Sequence, residues 1–267
     1  MINPPEVIPA YIRIDTILLT GSPGSQGFLS HNISDAWIIV NNETSYAAYE
    51  LPVVFPVFEE GQTTITVSAG IRRNGISNAR EPYPLFQFYE VQRNLAPLDT
   101  VMLMPEVRYQ DDAVFQLLEN FETGNNFTET LESTGSFALV SDPSKVFEGN
   151  RSAQILLSAD GQRMDIRSSE EVLPDENLRP VYLEIDYRCN QSFEVWVRSI
   201  PVFGGAPISS YIISLSPKED WNKIYVYLTD QLGLLDDAVY QVSIQASKDP
   251  EVEEGEILLD NIKLIYR

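Results

Sequence analysis

Glu256-Ile257-Leu258-Leu259-Asp260-Asn261-Ile262-Lys263-Leu264-Ile265-Tyr266 reads as a β-strand with one residue out of place. Side chains alternate between the two faces of a strand, so Leu258, Asp260, Ile262, Leu264 and Tyr266 are predicted to share a face. That face is apolar except for Asp260. A carboxylate among core side chains is costly unless it meets a cation, an arginine or backbone donors. The strand therefore predicts a β-sandwich that it closes. It also leaves open what neutralises Asp260: a metal ion, an arginine such as Arg151, or a bulge that turns it to solvent.

Working outward, the chain has 267 residues, enough for one large β domain or two ordinary ones. Aromatic residues make up 10% of it, Thr, Val and Ile are frequent, and 17 prolines punctuate it, while few segments keep a helical apolar period. These features predict an all-β protein. The formal net charge of −21 argues against nucleic acid, which needs a basic footprint, and against docking on anionic lipid. Solubility is the plain reading of the acidity, which also favours divalent cations.

The single cysteine, Cys189, allows no internal disulfide and no cysteine-based zinc site. The single histidine, His31, allows no multi-histidine metal centre, and any Ser-His-Asp or Cys-His mechanism would have to run through it. No apolar stretch approaches the roughly 20 residues of a membrane helix. Met1 stands directly before Ile2-Asn3-Pro4-Pro5-Glu6-Val7-Ile8-Pro9, so residues 1–9 are predicted to be an extended tether with a targeting segment trimmed away. An ordinary cytosolic N-terminus is the alternative.

Residues 10–109 carry short strands at close spacing. Ile12 and Ile14 alternate with Arg13 and Asp15, and Asp35-Ala36-Trp37-Ile38-Ile39-Val40 ends in the turn-forming pair Asn41-Asn42. Gly21 to Gly27 is a loop on composition. Leu51-Pro52 and Phe55-Pro56 belong at edges or crossovers. Thr63, Ile65, Val67 and Ala69 alternate with Thr64, Thr66 and Ser68. Strands and turns at this density predict an immunoglobulin-like sandwich. Among Tyr83, Phe86, Phe88 and Tyr89, the alternate pair Phe86 and Phe88 is expected to face the core. Tyr83 and Tyr89 are then the candidates for an exposed glycan or partner platform.

The stretch 35–75, a strand ending in an asparagine turn followed by Leu-Pro, Glu-Glu-Gly and Thr-Ile-Thr-Val, resembles small surface β domains of the PEGA type. That resemblance implies a spacer or adaptor.

Glu106 to Asp112 is polar, and the domain boundary is placed there, with a second domain over 110–267. Its short linkage predicts two domains in a fixed relation. The second domain opens with Asn120-Phe121-Glu122-Thr123-Gly124 and continues through Gly149-Asn150-Arg151-Ser152-Ala153. It then runs through Tyr182-Leu183-Glu184-Ile185-Asp186-Tyr187, a late strand begun by Trp221, and Leu259-Asp260-Asn261-Ile262. In that order the pieces resemble jelly-roll modules of the galactose-binding-like class, in particular carbohydrate-binding modules appended to xylanases and related glycanases. The resemblance covers about 115–267. It implies a structural calcium between the first and last strands, with Glu122 and Asp260 as its ligands. Calcium takes hard oxygen ligands, which suits a carboxylate with core-facing parity.

The resemblance also implies a sugar site on a sheet face or at loop tips, built of aromatic rings and polar side chains. Phe193, Val195 and Val197 share one face of a strand, which puts Trp196 opposite them with Glu194 and Arg198 as a candidate exposed platform. Trp221 is expected in the core at a strand start, and Tyr211, Tyr225 and Tyr227 fit either set. Asn-x-Ser/Thr sequons at Asn32, Asn42, Asn126, Asn150 and Asn190 matter only in a glycosylating secretory pathway. Asp236-Asp237 reads as a turn or cap. Among 39 acidic residues, nothing marks a glycosidase-like carboxylate pair.

The sequence thus predicts a non-catalytic, extracytoplasmic pair of β-sandwiches, immunoglobulin-like then jelly roll. It resembles lipid-anchored surface proteins of Gram-negative bacteria. The expected partner is a glycan, with an envelope protein as the alternative and a polysaccharide-active enzyme as the disfavoured third class. Membrane attachment is expected only through a lipid anchor lying outside this sequence.

Overall fold

A computed structural model of the chain describes residues 7–42, 47–169, 180–232 and 238–267. Most of the tether, the end of the Asn42 sequon and Asp236-Asp237 lie outside the described residues. The fold is all-β, built of sandwich sheets. The chain divides into two compact units, one formed by Met1–Gly21 and His31–Asp111 and the other by Ser22–Ser30 and Asp112–Arg267.

The first unit contains β1 (Ala10–Ile14), β2 (Leu18–Leu19), β3 (Asp35–Val40), β4 (Ala47–Glu50) and β5 (Val53–Val57). They are followed by β6 (Gly61–Arg72), β7 (Arg80–Pro82), β8 (Tyr89–Leu95), β9 (Thr100–Leu103) and β10 (Glu106–Val107). One sheet has the order β5-β1-β9, with β1 and β9 parallel, and β10 and β2 form a second parallel pair. The larger sheet runs β4-β3-β6-β7, with β8 also on β6. Thr63, Ile65, Val67 and Ala69 point into the core, on the face that their alternation predicts.

Around residue 83 the expected exposure holds for Phe86, which is buried, and is reversed for Tyr83 and Phe88. Tyr83 is buried, its ring edge-on to Phe86 at 4.6 Å, and Phe86 packs in turn on Tyr109 at 5.0 Å. Phe88 is the exposed ring at 61%, and Tyr89 is half-buried. Strand β8 begins only at Tyr89, so the strand parity assumed across residues 86–89 never applies.

The second unit begins with the one-turn helix α1 (Pro23–Gln26), followed by β11 (Val114–Glu119), β12 (Phe127–Glu129), β13 (Ser136–Val140), β14 (Ser152–Leu157) and β15 (Arg163–Ser168). It continues with β16 (Val181–Cys189), β17 (Phe193–Pro201), β18 (Ile208–Leu215), β19 (Lys218–Tyr227), β20 (Ala238–Ser247) and β21 (Gly255–Tyr266). A six-stranded sheet has the order β13-β14-β21-β16-β19, with β11 also on β21, and a five-stranded sheet has the order β12-β15-β20-β17-β18. Between them lies one apolar core that includes Phe121, Ile155, Ile166, Leu183, Phe193, Val195, Ile244 and Leu259. Burying that apolar area is the main favourable term for the unit. Ser22–Ser30, which composition presents as a loop of the first half, packs as part of this sandwich.

Strand β21 departs from simple alternation. Its pairing with β16 slips between Glu184 and Asp186, and Asn261 takes a left-handed conformation at φ 46°. The extra residue is a β-bulge, which exchanges the faces of the strand on either side of it. Ile257 and Leu259 point into the core before the bulge, and Ile262, Leu264 and Tyr266 after it. Asp260 therefore does not share a face with Ile262, Leu264 and Tyr266. It lies on the other side of the sheet, yet it is fully buried.

Candidate functional site

The outer face of the five-stranded sheet is built by clean period-two strands. Along β17, Phe193, Val195 and Val197 enter the core, and Glu194, Trp196 and Arg198 stand on the opposite face, as the alternation predicts. On β15, Met164 and Ile166 are core residues and Asp165 and Arg167 are not; on β20, Val242 and Ile244 alternate with Gln241, Ser243 and Gln245. A register shift between β17 and β18 sends Ile212 and Ile213 together towards the core and brings Tyr211 beside Trp196.

Strand pairing then places Thr128, Arg167, Ser243, Trp196 and Tyr211 in one row straight across the sheet. With strands about 4.8 Å apart, the row is about 19 Å long. A parallel row holds Asp165, Gln245 and Glu194, and another holds Gln241 and Arg198. Hydrogen bonds tie the rows together. Ser243 Oγ donates to Asp165 at 2.8 Å, Arg167 Nη2 to the same carboxylate at 2.5 Å, and Gln245 Nε2 to Ser243 Oγ at 3.1 Å. The Trp196 indole N–H donates to Glu194 at 2.7 Å, and its ring meets that of half-exposed Tyr211 edge-on at 5.4 Å. Arg198 Nη1 donates to Gln241 at 3.1 Å.

The indole is thereby held by a hydrogen bond at one edge and a ring contact at another, so a ligand need not order it on binding. A row of aromatic faces and planar polar side chains suits a molecule with apolar ring faces and hydroxyl rims.

The opening and closing motifs occupy the other sheet, whose outer face holds a buried polar cluster among apolar side chains such as Leu258 and Ile265. Lys223 Nζ lies 3.1 Å from Glu184 and 3.4 Å from Asp186, and it donates to Ser30 Oγ at 3.1 Å. Ser30 Oγ donates in turn to Asp186, and Lys263 Nζ donates to the Phe28 carbonyl at 2.5 Å. Burial by itself would lower the Lys223 ammonium, but Asp186 and Glu184 outweigh it and hold the group above the ordinary lysine value. Lys263 has no such excess: burial, with Lys223 beside it, pulls it down to about 8.

Asp260 is neutralised by neither arginine nor solvent. Its carboxylate accepts from Ser152 Oγ at 2.6 Å, Asn261 N at 2.8 Å and Glu148 N at 3.4 Å. Burial nonetheless pushes it up to about 7. Arg151 instead donates to the backbone carbonyl of Glu122. The Glu122 carboxylate accepts from Asn150 N at 2.7 Å, Arg151 N at 2.9 Å and Asn150 Nδ2 at 3.0 Å, clamping the 148–151 loop. Those donors hold the Glu122 carboxyl below its usual range.

Against calcium, the fit is uneven. Asn261 Oδ1 is buried with no hydrogen-bond partner, a hard oxygen of the kind calcium takes, and it neighbours Asp260. Both Glu122 oxygens are taken by N–H donors, and no cluster of three or more acidic, histidine or cysteine side chains in metal-holding geometry occurs among the described residues. A small hollow of about 150 Å³ between Phe28, Leu118, Asn120, Asn261 and Lys263 borders the closing motif.

Trp221, expected in the sandwich core, stands on the outer face of the six-stranded sheet. It packs at 5.1 Å against Phe147, and the Arg188 guanidinium lies 5.7 Å above its ring. Tyr89, at the start of β8, belongs to the first unit. The participants that sequence reasoning passed over are Thr128, Asp165, Arg167, Ser243 and Gln245. Their signal was the alternation in Arg163-Met164-Asp165-Ile166-Arg167 and Val242-Ser243-Ile244-Gln245.

No family model matches the chain, and no curated protein matches it. Among solved structures, it is similar to the family 11 carbohydrate-binding module of the cellulosomal cellulase Lic26A-Cel5E of Clostridium thermocellum. The identity is 17%, over 57% of this chain and 94% of that one, with a TM-score of 0.41. A carbohydrate-binding module from the β-sandwich superfamily, described for promiscuous specificity, is 14% identical over 87% of this chain and 85% of that one, TM-score 0.43. The CBM22-1 xylan-binding domain of Paenibacillus barcinonensis Xyn10C is 12% identical over 58% of this chain and 95% of that one, TM-score 0.42. Likenesses of this size carry nothing about ligand to this chain.

Proposed function

We propose that this chain is a non-catalytic, extracytoplasmic glycan-binding protein whose second unit holds a polysaccharide along the outer face of its five-stranded sheet. One observation carries the reading: the row Thr128–Arg167–Ser243–Trp196–Tyr211, in which Glu194 anchors Trp196 beside Tyr211. The Trp196 and Tyr211 rings supply apolar contact, and the rows on either side supply donors and acceptors along a linear path. The first unit acts as an immunoglobulin-like spacer, and a lipid anchor outside this sequence would hold the protein at the cell surface.

Retention of the full chain in affinity gels containing a panel of polysaccharides tests this. Retention by at least one polymer, lost on Trp196→Ala with an unchanged melting temperature, is the expected result. No retention by any polymer would remove the reading.

A second reading, a structural adaptor of an envelope complex, is favoured by the uncharged β17–β18 tip. There Val202 and Phe203 are exposed, Phe203 at 85%, in a chain of net charge −21. Pull-down from envelope extract returning one stoichiometric protein, lost on Phe203→Ser, would favour it over the glycan.

A further inference from the structure

Taking the glycan reading as its ground, we propose that the polysaccharide is acidic, carrying uronate carboxylates that pair with Arg198, next to Trp196 on β17, and with Arg167, in the Trp196 row.

The charge of this face runs against the charge of the chain. The sequence as a whole has 18 basic and 39 acidic residues. On the outer face of β15 and β17, by contrast, Arg163, Arg167 and Arg198 stand with Asp165 and Glu194. Both acids there are already committed to the sheet. Asp165 is buried and accepts from Arg167 and Ser243, and Glu194 accepts from the Trp196 indole. Arg167 offsets the Asp165 charge, whereas Glu194, whose partner is a neutral indole, keeps its charge and is balanced on this face of β17 by Arg198. Arg163 pairs with Glu132 at 3.2 Å and Arg167 with Asp165 at 2.5 Å, so Arg198, bonded to the neutral Gln241, is the guanidinium of this face that carries no carboxylate among the described residues.

These guanidinium groups retain donors. Arg167 carries Asp165 through Nη2 and its side chain remains 27% exposed, while its unpartnered Nε is buried beneath. Arg198 uses Nη1 on Gln241 and has its remaining N–H groups available. Arg167 lies two strands from Trp196 in the same row, about 10 Å away, and Arg198 lies two residues along β17, about 7 Å away. A chain of sugars laid along the Trp196 row therefore crosses Arg167 and has Arg198 at its flank. The guanidinium fork matches a planar carboxylate in bidentate geometry, and such charge-assisted bonds are roughly twice as strong as those to a neutral hydroxyl. The remaining negative charge of the protein is screened beyond about 8 Å at physiological ionic strength, so it does not cancel this local field.

The test uses the full chain in affinity gels with polygalacturonate, the same polymer with its carboxylates reduced to alcohols, dextran sulfate and neutral dextran. Titration calorimetry with the retained oligomer follows. Polygalacturonate is expected to be retained and its reduced form not. Arg198→Gln, at a half-exposed position, should weaken uronate binding about ten- to hundredfold without shifting the melt. Arg167→Gln provides a second variant, expected to weaken uronate binding similarly but also to lower the melt, because it removes the charged partner of buried Asp165. Retention unchanged by carboxyl reduction would overturn the acidic assignment and leave the Trp196 platform standing. Dextran sulfate bound in preference to the uronate would overturn the carboxylate assignment. Retention of none of the polymers, with Trp196→Ala indistinguishable from the parent, would remove the platform reading as well.

Discussion

Replacing Lys223 with methionine removes one positive charge from beside two buried carboxylates, Glu184 and Asp186. Glu184 and Asp186 are fully buried, Lys223 is itself 5% exposed, and its Nζ lies 3.1 and 3.4 Å from the two carboxylates. Breaking a buried pair by deleting one partner costs about 3–5 kcal/mol, because the partner keeps its desolvation penalty without its compensation. For a unit of this size, about 2–4 °C of melting temperature goes with each kcal/mol, so Lys223→Met should lower the second unit's transition by about 6–20 °C. Calorimetry of the full chain reads this directly, and near-UV circular dichroism from Trp221 on the same strand reports the second unit. A combined Lys223→Met, Glu184→Gln and Asp186→Asn variant removes the charges together and should recover most of the loss, since replacing a whole buried ion cluster is often close to neutral. If Lys223→Met costs about 1 kcal/mol or less, as exposed ion pairs do, the buried cluster is not what it is described to be. A combined variant no better than the single one would refute the electrostatic cause.

Other outcomes are open to simple assays. A chain cut to 112–267 lacks Ser30 and the Phe28 carbonyl, the partners of Lys223 and Lys263, and should melt well below the second unit of the full chain; adding back 22–30 through a short linker should restore it. Burial pushes the Cys189 thiol up to about 11 from 9.0 and the Tyr187 hydroxyl up to about 12 from 10.0. The unfolded chain thus gives up these protons first, so these two groups leave stability untouched below about pH 9 and lower it as pH rises from about 9 to about 12. Cys189→Ser should flatten the lower part of that fall, and native Cys189 should resist a thiol reagent at pH 8 until denaturant is added. Calcium, implied for Glu122 and Asp260 by the jelly-roll resemblance, should raise the second unit's melting temperature, and Asp260→Ala should abolish the gain. An unchanged melt with calcium and with chelator would leave Asp260 to Ser152, Asn261 and Glu148.

The all-β class was legible because alternation at period two is a local property. Thr63 to Ala69 and Phe193 to Arg198 announce their faces without any partner strand. What defeated sequence reading was everything that breaks period two. The bulge at Asn261 turns Asp260 away from Ile262 and Leu264, and the pairing slip that admits Ile212 sets Tyr211 beside Trp196; both depend on register with a neighbouring strand. Tyr83 was misread for a related reason, since strand parity was assumed across residues that are not in a strand. Trp196 was recognisable because its own strand sufficed. Its neighbours Arg167 and Ser243, on β15 and β20, become neighbours only through pairing between distant segments. The role of Ser22–Ser30 under Lys223 and Lys263 was beyond reach, because a Gly/Ser/Pro loop carries no mark of the strand it will cover.

Hydrogen–deuterium exchange of the full chain, with and without a polysaccharide that retains it, bears most directly on where the ligand lies. The account predicts added protection over 163–168, 194–198, 208–215 and 241–245, with the first unit unchanged and the effect lost in Trp196→Ala. Protection confined to the six-stranded sheet or to the first unit would contradict it.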